Sequence, residues 1–308
     1  MKNKRLIVCI SLMLVCSSVG FSTAVTNDTI YVDDDGTADY TSIQDAVDAA
    51  VDGDVIVVYN GMYYENIVID KQLTLNGECK TDTIINGAEN GHVIEIHADY
   101  VTISGFTIQN NENRSDGINI YSCYNTIEDN IIQNNDNYGI LLRGLYKSGS
   151  FLVRPPSHNV IKGNIIRNNS EKGISIWGGD VFLPRFRNIG ITLDARNNSI
   201  LDNVIEESRH GVYLAKATKE TLIDHNEFSG NNISVAPMYS RYNTITRNNF
   251  LSSDPFFQSG INYWNNNYWG EPMDEPKRIV GRIGYFGIIP WINYDEQPAQ
   301  QPFDIGGD

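Results

Sequence analysis

The chain has 308 residues, 41% of them hydrophobic, with 38 acidic against 23 basic side chains and a net charge of −15 at pH 7. That surplus of carboxylates repels phosphate backbones and anionic head groups, which excludes nucleic acid and acidic membrane surfaces as partners. It is ordinary for a soluble exported protein.

Met1 to Ala24 opens with Lys2, Lys4 and Arg5, runs apolar from Leu6 to Val19 and ends on Ser22-Thr23-Ala24. This is the pattern of a secretory signal peptide, since the apolar run is short for a membrane span and a small-residue cleavage site follows it directly. Cleavage removes 3 of the 23 basic residues and no acidic one, leaving 20 against 38, or −18. Cys79 and Cys123 are then the remaining cysteines. Their 44-residue separation equals two turns of the repeat described below and sets them about 9 to 10 Å apart, too far for a disulfide.

Residues 25–54 read as an N-terminal cap. Thr41 with Gln44 makes a capping box, and Ile43, Ala46, Val47 and Ala50 form one apolar stripe, predicting a short amphipathic helix over 42–51. Placed on an open sheet end, such a helix shields the edge and core beneath it. Strands are expected at 55–59, 67–69, 73–75, 84–85 and 93–96.

From residue 103 the chain repeats itself. The template I-x-x-N-x-(I/F) stands at Ile127/Asn130/Ile132, Ile161/Asn164/Ile166, Ile200/Asn203/Ile205, Ile223/Asn226/Phe228 and Ile245/Asn248/Phe250, after a degenerate copy at Ile103/Phe106/Ile108. The asparagine spacings are 34, 39, 23 and 22, so one coil is about 22 residues and two coils carry insertions of about 12 and 17. A single coil cannot bury its apolar side, whereas stacked coils with parallel strands about 4.8 Å apart line one continuous interior. The asparagines are expected to occupy left-handed corners and to ladder from coil to coil. At the far end, Asn262 to Gly270 (NYWNNNYWG) and Ile289-Pro290-Trp291 hold three of the four tryptophans, which suit closure of the solenoid over 259–300; 301–308 reads as a flexible tail.

These repeats resemble the right-handed parallel β-helix of the pectate-lyase-like superfamily, and within it are most similar to NosD-like repeat proteins of secreted type. The resemblance spans about residues 29–300 and implies an all-β, single-stranded right-handed parallel β-helix with a short capping α-helix. The N-terminal segment is also similar to that of pectin methylesterases, in the pattern D-G-x-x-D-Y-x-S-I-Q-x-A-V-D-A-A and in Tyr64-Glu65-Asn66. That family's catalytic aspartate and arginine segments have no counterpart here. The fold carries lyases, hydrolases, epimerases, esterases and binding scaffolds alike.

Chemistry is expected on one outer face. Two-residue alternation turns Ile118/Ile120, Ile140/Leu142, Ile174/Ile176 and Val212/Leu214 inward, and hence Asn119, Leu141, Ser175 and Tyr213 outward, with Tyr121, Arg143 and Trp177 two places on. Before each glycine stand Asp116, Tyr138, Lys172 and His210. The insertions, 143–157 and 178–196, leave the same corner in consecutive coils. Together they hold six basic residues (Arg143, Lys147, Arg154, Arg185, Arg187, Arg196) against Asp180 and Asp194, a local +4 with Tyr146, Phe151, Phe182 and Phe186 among the cations. A basic, aromatic patch on an acidic protein suits an anionic glycan, through guanidinium–carboxylate pairing and ring stacking.

The expected site is therefore Asp116, Tyr121, Arg143, Arg154, Trp177, Arg185, Arg187 and Tyr213 for substrate binding, with Tyr138, Lys172 and His210 as candidate proton-transfer groups. No cofactor follows from the residues, and calcium is left open. The histidines are scattered, and His92 and His97 are expected on opposite faces of one strand, so a copper-delivery role rests on the NosD-like resemblance alone. Polysaccharide binding stands as the main reading, beside a polysaccharide lyase or hydrolase and a non-catalytic envelope, adhesion or metal-maturation module.

Overall fold

The computed structural model describes residues 27–306 apart from 88–90, 111–113, 145–153, 184–188, 259 and 285–286. The signal peptide expected over 1–24 lies outside the described residues. The chain winds as a right-handed parallel β-helix, three short strands to a coil, so that strands stack into three sheets of 13, 8 and 7 members. Stacking is in register: Ile127 pairs with Ile161, Ile161 with Ile200, Ile200 with Ile223 and Ile223 with Ile245. Each contributes a fully buried side chain to one continuous core. The irregular segments near the start join this register too, with Ile67 on Ile94 and Ile94 on Ile118.

The asparagine column is structural. Asn164 donates its backbone N–H and its Nδ2 to Oδ1 of Asn203 at 2.9 and 3.0 Å, and its own Oδ1 accepts the same pair from Asn130. Further columns at Asn125/Asn159/Asn198 and Asn135/Asn169 do the same. The left-handed corner, however, falls one residue earlier than expected: Asp129, Gly163, Asp202, His225 and Arg247 take positive φ, and the asparagines after them do not. The amide is needed inside the corner, where it also donates to carbonyls such as Ile127 O and Lys162 O. That task requires an extended backbone at the asparagine, so the strained conformation passes to its neighbour.

At the N-terminal end the helix covers Ile43–Ala49, with Ser42 rather than Thr41 as N-cap; Ser42 Oγ accepts from Asp45 N. The Glu65 carboxylate takes up further free N–H groups, from Ile43 and Gln44 at 2.9 and 2.8 Å. Ile43, Ala46, Val47 and Ala50 are buried, as the stripe predicts. At the other end Phe228, Phe250 and Trp269 stack in sequence, centroids 5.1 and 4.4 Å apart. Asp295, fully buried, ends the asparagine column by accepting from Asn267 N and Nδ2 and from Trp269 Nε1. Trp291 takes no part in this closure and is 51% exposed.

Candidate functional site

The seven-stranded sheet carries the expected face, with strands Ile94–Ile96, Ile118–Ile120, Tyr138–Arg143, Lys172–Trp177 and His210–Leu214 side by side. Glycine precedes the core residues in successive coils because nothing else fits. A Cβ on Gly139 would meet the carbonyl oxygen of Gly173 at 2.7 Å, and one on Gly173 would meet that of Gly211 at the same distance. The face carries three parallel columns: Asp116, Tyr138, Lys172 and His210 on one rail, Asn119, Leu141, Ser175 and Tyr213 as the floor, and Tyr121, Arg143 and Trp177 on the other rail.

Lys172 is the centre of this arrangement. Its Nζ donates to the Tyr138 hydroxyl at 3.1 Å and lies 4.2 Å from the Tyr138 ring centroid and 4.7 Å from that of Tyr213. It is 8% exposed, and among the described residues no carboxylate lies within ion-pair distance of it. Burial lowers its proton affinity below that of an ordinary lysine. Burial, then the charges of Lys172 and Arg209, likewise lowers His210, which packs edge-on against Tyr213 and whose Nδ1 has no hydrogen-bond partner. Burial raises Tyr138 and Tyr213.

Asp116, 1% exposed, accepts from Asn137 Nδ2 at 2.7 Å and from the Tyr138 N–H at 3.1 Å, and its own backbone N–H donates to His92 Nδ1 at 3.2 Å. Burial still outweighs the His92 charge and these donors, so its carboxyl binds a proton more readily than usual. On the far rail Tyr121 is sandwiched between His97, stacked at 4.9 Å, and Arg143, whose Nη2 donates to its hydroxyl at 3.0 Å. Arg143 also has no carboxylate partner among the described residues. Trp177, 42% exposed, ties its Nε1 to Ser175 Oγ at 2.7 Å.

The structure brings some of the expected residues together, buries others and sets others apart. Tyr138, Lys172, His210 and Tyr213 do gather, and so do Arg143 and Trp177. Asp116, Tyr121, Asn119, Leu141 and Ser175 are buried, although alternation turns the last three outward; over Ser175 lies Trp177, hydrogen-bonded to its hydroxyl. Arg154 is elsewhere: it pairs with Asp99 at 2.5 Å. Arg196 pairs with Asp194, so two cations of the inserted loops serve the protein's own carboxylates. Arg185 and Arg187 lie outside the described residues. His92 and His97 flank their strand and both join the outer face, against the expectation of opposite faces. Sequence reasoning missed His92, Asn137 and the buried amide of Asn119, whose Nδ2 and Oδ1 have no hydrogen-bond partner. Asn119's place in the floor column was the available signal.

A concavity of about 790 Å³ lies at a different corner, lined by Lys80, Asp129, Lys162, Asp202 and His225 together with Asp304 of the tail. Four of its charged groups pair with one another, Lys80 with Asp129 at 2.6 Å and His225 with Asp202 at 2.7 Å. On the seven-stranded sheet Lys172 and Arg143 have tyrosine hydroxyls as hydrogen-bond partners and no carboxylate partner among the described residues.

The family model described as "Periplasmic copper-binding protein (NosD)" matches residues 21–283. The chain belongs to the NosD family. No curated protein matches this NosD-family chain in sequence. Among solved structures it is similar to pectate lyase Pel9A, with a TM-score of 0.58 and 14% identity over 79% of this chain and 69% of that one. It is also similar to Escherichia coli YbhC, at 0.52 and 11% over 95% and 80%, and to an alginate lyase from Paenibacillus sp. str. FPU-7, at 0.50 and 14% over 89% and 98%. At such identities the likeness is one of fold.

The family description raises copper, and the described side chains do not fit it. Among them no three histidine, cysteine or acidic groups converge as a ligand set. His92 is engaged with Asp116, His97 with Tyr121 and Glu95, and His225 with Asp202. The Cys123 thiol is buried, and burial raises its proton affinity, which disfavours the thiolate a metal requires.

Proposed function

We propose that this NosD-family protein is exported and binds an acidic polysaccharide along the outer face of its seven-stranded sheet. One observation carries the reading: on a mature chain of −18, Lys172 and Arg143 stand in one strip without a carboxylate partner among the described residues, and Lys172 is nearly buried. A desolvated, unpaired ammonium is costly, and the carboxylate of a uronic acid supplies the missing charge. Tyr138, Tyr213 and Trp177 offer ring faces for sugars. Similarity in fold to a pectate lyase and an alginate lyase supports a glycan ligand.

The test is binding of oligogalacturonate and of a neutral oligosaccharide of equal length to the wild type, Lys172→Met and Arg143→Ala. The acidic ligand should bind at least about tenfold more weakly to each variant. Equal binding of the neutral chain by the wild type removes the reading.

The Lys172–Tyr138 contact supports a second reading, a lyase. In β-elimination a base takes the proton from the carbon next to the carboxylate, the electron pair forms the C=C bond, and the glycosidic C–O bond breaks as its oxygen is protonated. Lys172, with lowered proton affinity, suits the first transfer in its neutral form, and the Tyr138 hydroxyl suits the second. Ultraviolet absorbance of unsaturated uronates on incubation with acidic glycans tests this directly; its absence with every such glycan leaves binding alone.

A further inference from the structure

A second recess, about 370 Å³, opens at the corner that follows the strands of the seven-stranded sheet, two coils beyond Arg143. It is lined by Lys216, Lys219, Arg241 and Asp194, with Tyr239 and Ser240 between them. Of these, Lys219 pairs with Asp194, and Arg241 stands beside that pair. In two other recesses the arginine meets carboxylates instead: Arg114 with Asp136 and Glu171 in one, and Arg247 with Asp202 and Asp224 in another.

The local fold fixes the cations in place. Lys219 and Arg241 are bridged as parallel neighbours in successive coils, and Arg241 N donates to Thr218 O at 3.1 Å. Below them the chain at Gly260, with φ of +118°, passes so close that a Cβ would meet Ser240 O at 1.9 Å. The charges are not all internally satisfied. Lys219 donates to Asp194 at 2.6 Å, and Arg196 donates to the same carboxylate, which these hydrogen bonds hold below the usual range although burial raises it. Asp194 is thereby committed. Among the described residues Arg241 has no carboxylate partner; its guanidinium lies 5.8 Å from the Tyr242 ring centroid. Ser240 is fully buried, and its hydroxyl has no hydrogen-bond partner. Tyr239, 42% exposed, presents a ring at the rim.

We infer that this recess is an oxyanion site for a sugar ring bearing a carboxylate or sulfate group, with Arg241 as the pairing cation and Ser240 as a hydrogen-bond partner. An arginine without a partner and an orphaned hydroxyl supply the donors that an oxyanion takes, the volume admits one sugar ring, and Tyr239 offers a face for it to stack on. The inference does not require the strip around Lys172; if both sites are real, they lie along one corner and an extended acidic glycan parallel to the helix axis can span them.

The experiment is an NMR titration of the folded protein with galacturonate, glucose 6-sulfate and glucose, at constant ionic strength, following the arginine Nε–H signals. Saturable binding of galacturonate or of glucose 6-sulfate with a shift of the Arg241 signal is expected, and the acid that binds identifies the group accepted. Glucose should not bind. Arg241→Gln should weaken the binding at least tenfold and Ser240→Ala a few-fold, while Arg143→Ala leaves it unchanged. Ser240→Ala removes a hydroxyl that bonds to nothing, so the variant keeps its fold and reads ligand binding alone. Absence of saturable binding by both acids, equal binding of glucose, or loss in Arg143→Ala but not in Arg241→Gln overturns the inference. The last pattern also shows the strip to be the site that took the monosaccharide, which separates the two readings.

Discussion

Lys172 is held where a lysine ought not to be, and that makes its replacement informative. Lys172→Met keeps the apolar stem and removes a desolvated charge, so the unliganded protein should be as stable as the wild type or more stable by about 1 kcal/mol, measured by urea unfolding. A marked loss of stability would mean that the ammonium has a structural partner. The same burial predicts a pH dependence. Lys172 is lowered from 10.5 and His210 from 6.5, so each binds its proton more weakly folded than unfolded. The His210 penalty therefore grows as pH falls below 6.5 toward its lowered value, and stability is lost in that direction. A bound carboxylate reverses this by favouring both protonated forms. Affinity for an acidic oligosaccharide should rise, with net proton uptake, as pH drops from about 8 to about 6. Calorimetry in buffers of different ionisation enthalpy measures that uptake, and proton release would contradict it. Asp116, raised from 3.8 by burial, acts on stability with the opposite sign, favouring the folded state as pH falls, but a bound carboxylate favours its protonated form too, so Asp116→Asn isolates its share of the uptake.

One amide and one missing side chain per coil decide whether the coils stack. Asn164→Ala removes buried hydrogen bonds to Ile127 O and from Asn130, and a part-buried one to Lys162 O, and should cost about 2 to 4 kcal/mol in chemical denaturation. Gly139→Ala should be at least as harmful, since its new carbon and the Gly173 carbonyl cannot both stay where they are. An Asn164→Ala protein unfolding at the wild-type midpoint would show that the ladder merely accompanies the stacking. Much at this scale is legible in the sequence. Ile127, Asn130 and Ile132 recur at fixed offsets because the same three contacts recur in each coil, and periodic constraints leave periodic residues. The strip was legible only as directions. Alternation turns Asn119 and Ser175 outward correctly, but whether an outward side chain sees water depends on where Lys172 and Trp177 lie down, and no period encodes that. Arg154 was misplaced for a related reason: a cation inside a long insertion takes the nearest carboxylate, and Asp99, 55 residues away in sequence, carries no signal of being near it.

A solenoid is indefinitely extensible by construction, so the whole molecule depends on how it stops. At the C-terminal end the stop is built from Asp295, which ends the asparagine column, and from the Phe228, Phe250 and Trp269 stack, which fills the core where the next coil's isoleucines belong. At the N-terminal end it is the helix Ile43–Ala49, tethered through Glu65 and covering the first strands of the sheets. The two stops differ in kind. Removing the C-terminal plug opens the core, whereas removing the helix leaves the coils intact and uncovers unpaired strand edges and the buried faces of Val32 and Ile56. Deleting residues 41–51 should therefore give a folded protein that associates through its N-terminal ends, seen as a rise in mass by light scattering with β-rich circular dichroism retained. A deletion variant that stays monomeric would show that the strand ends are protected without the helix. Glu65→Gln is the milder form of the same experiment. It weakens the hydrogen bonds to Ile43 N and Gln44 N without deleting the apolar stripe, so it should loosen the cap by about 1 kcal/mol and make association concentration-dependent rather than complete.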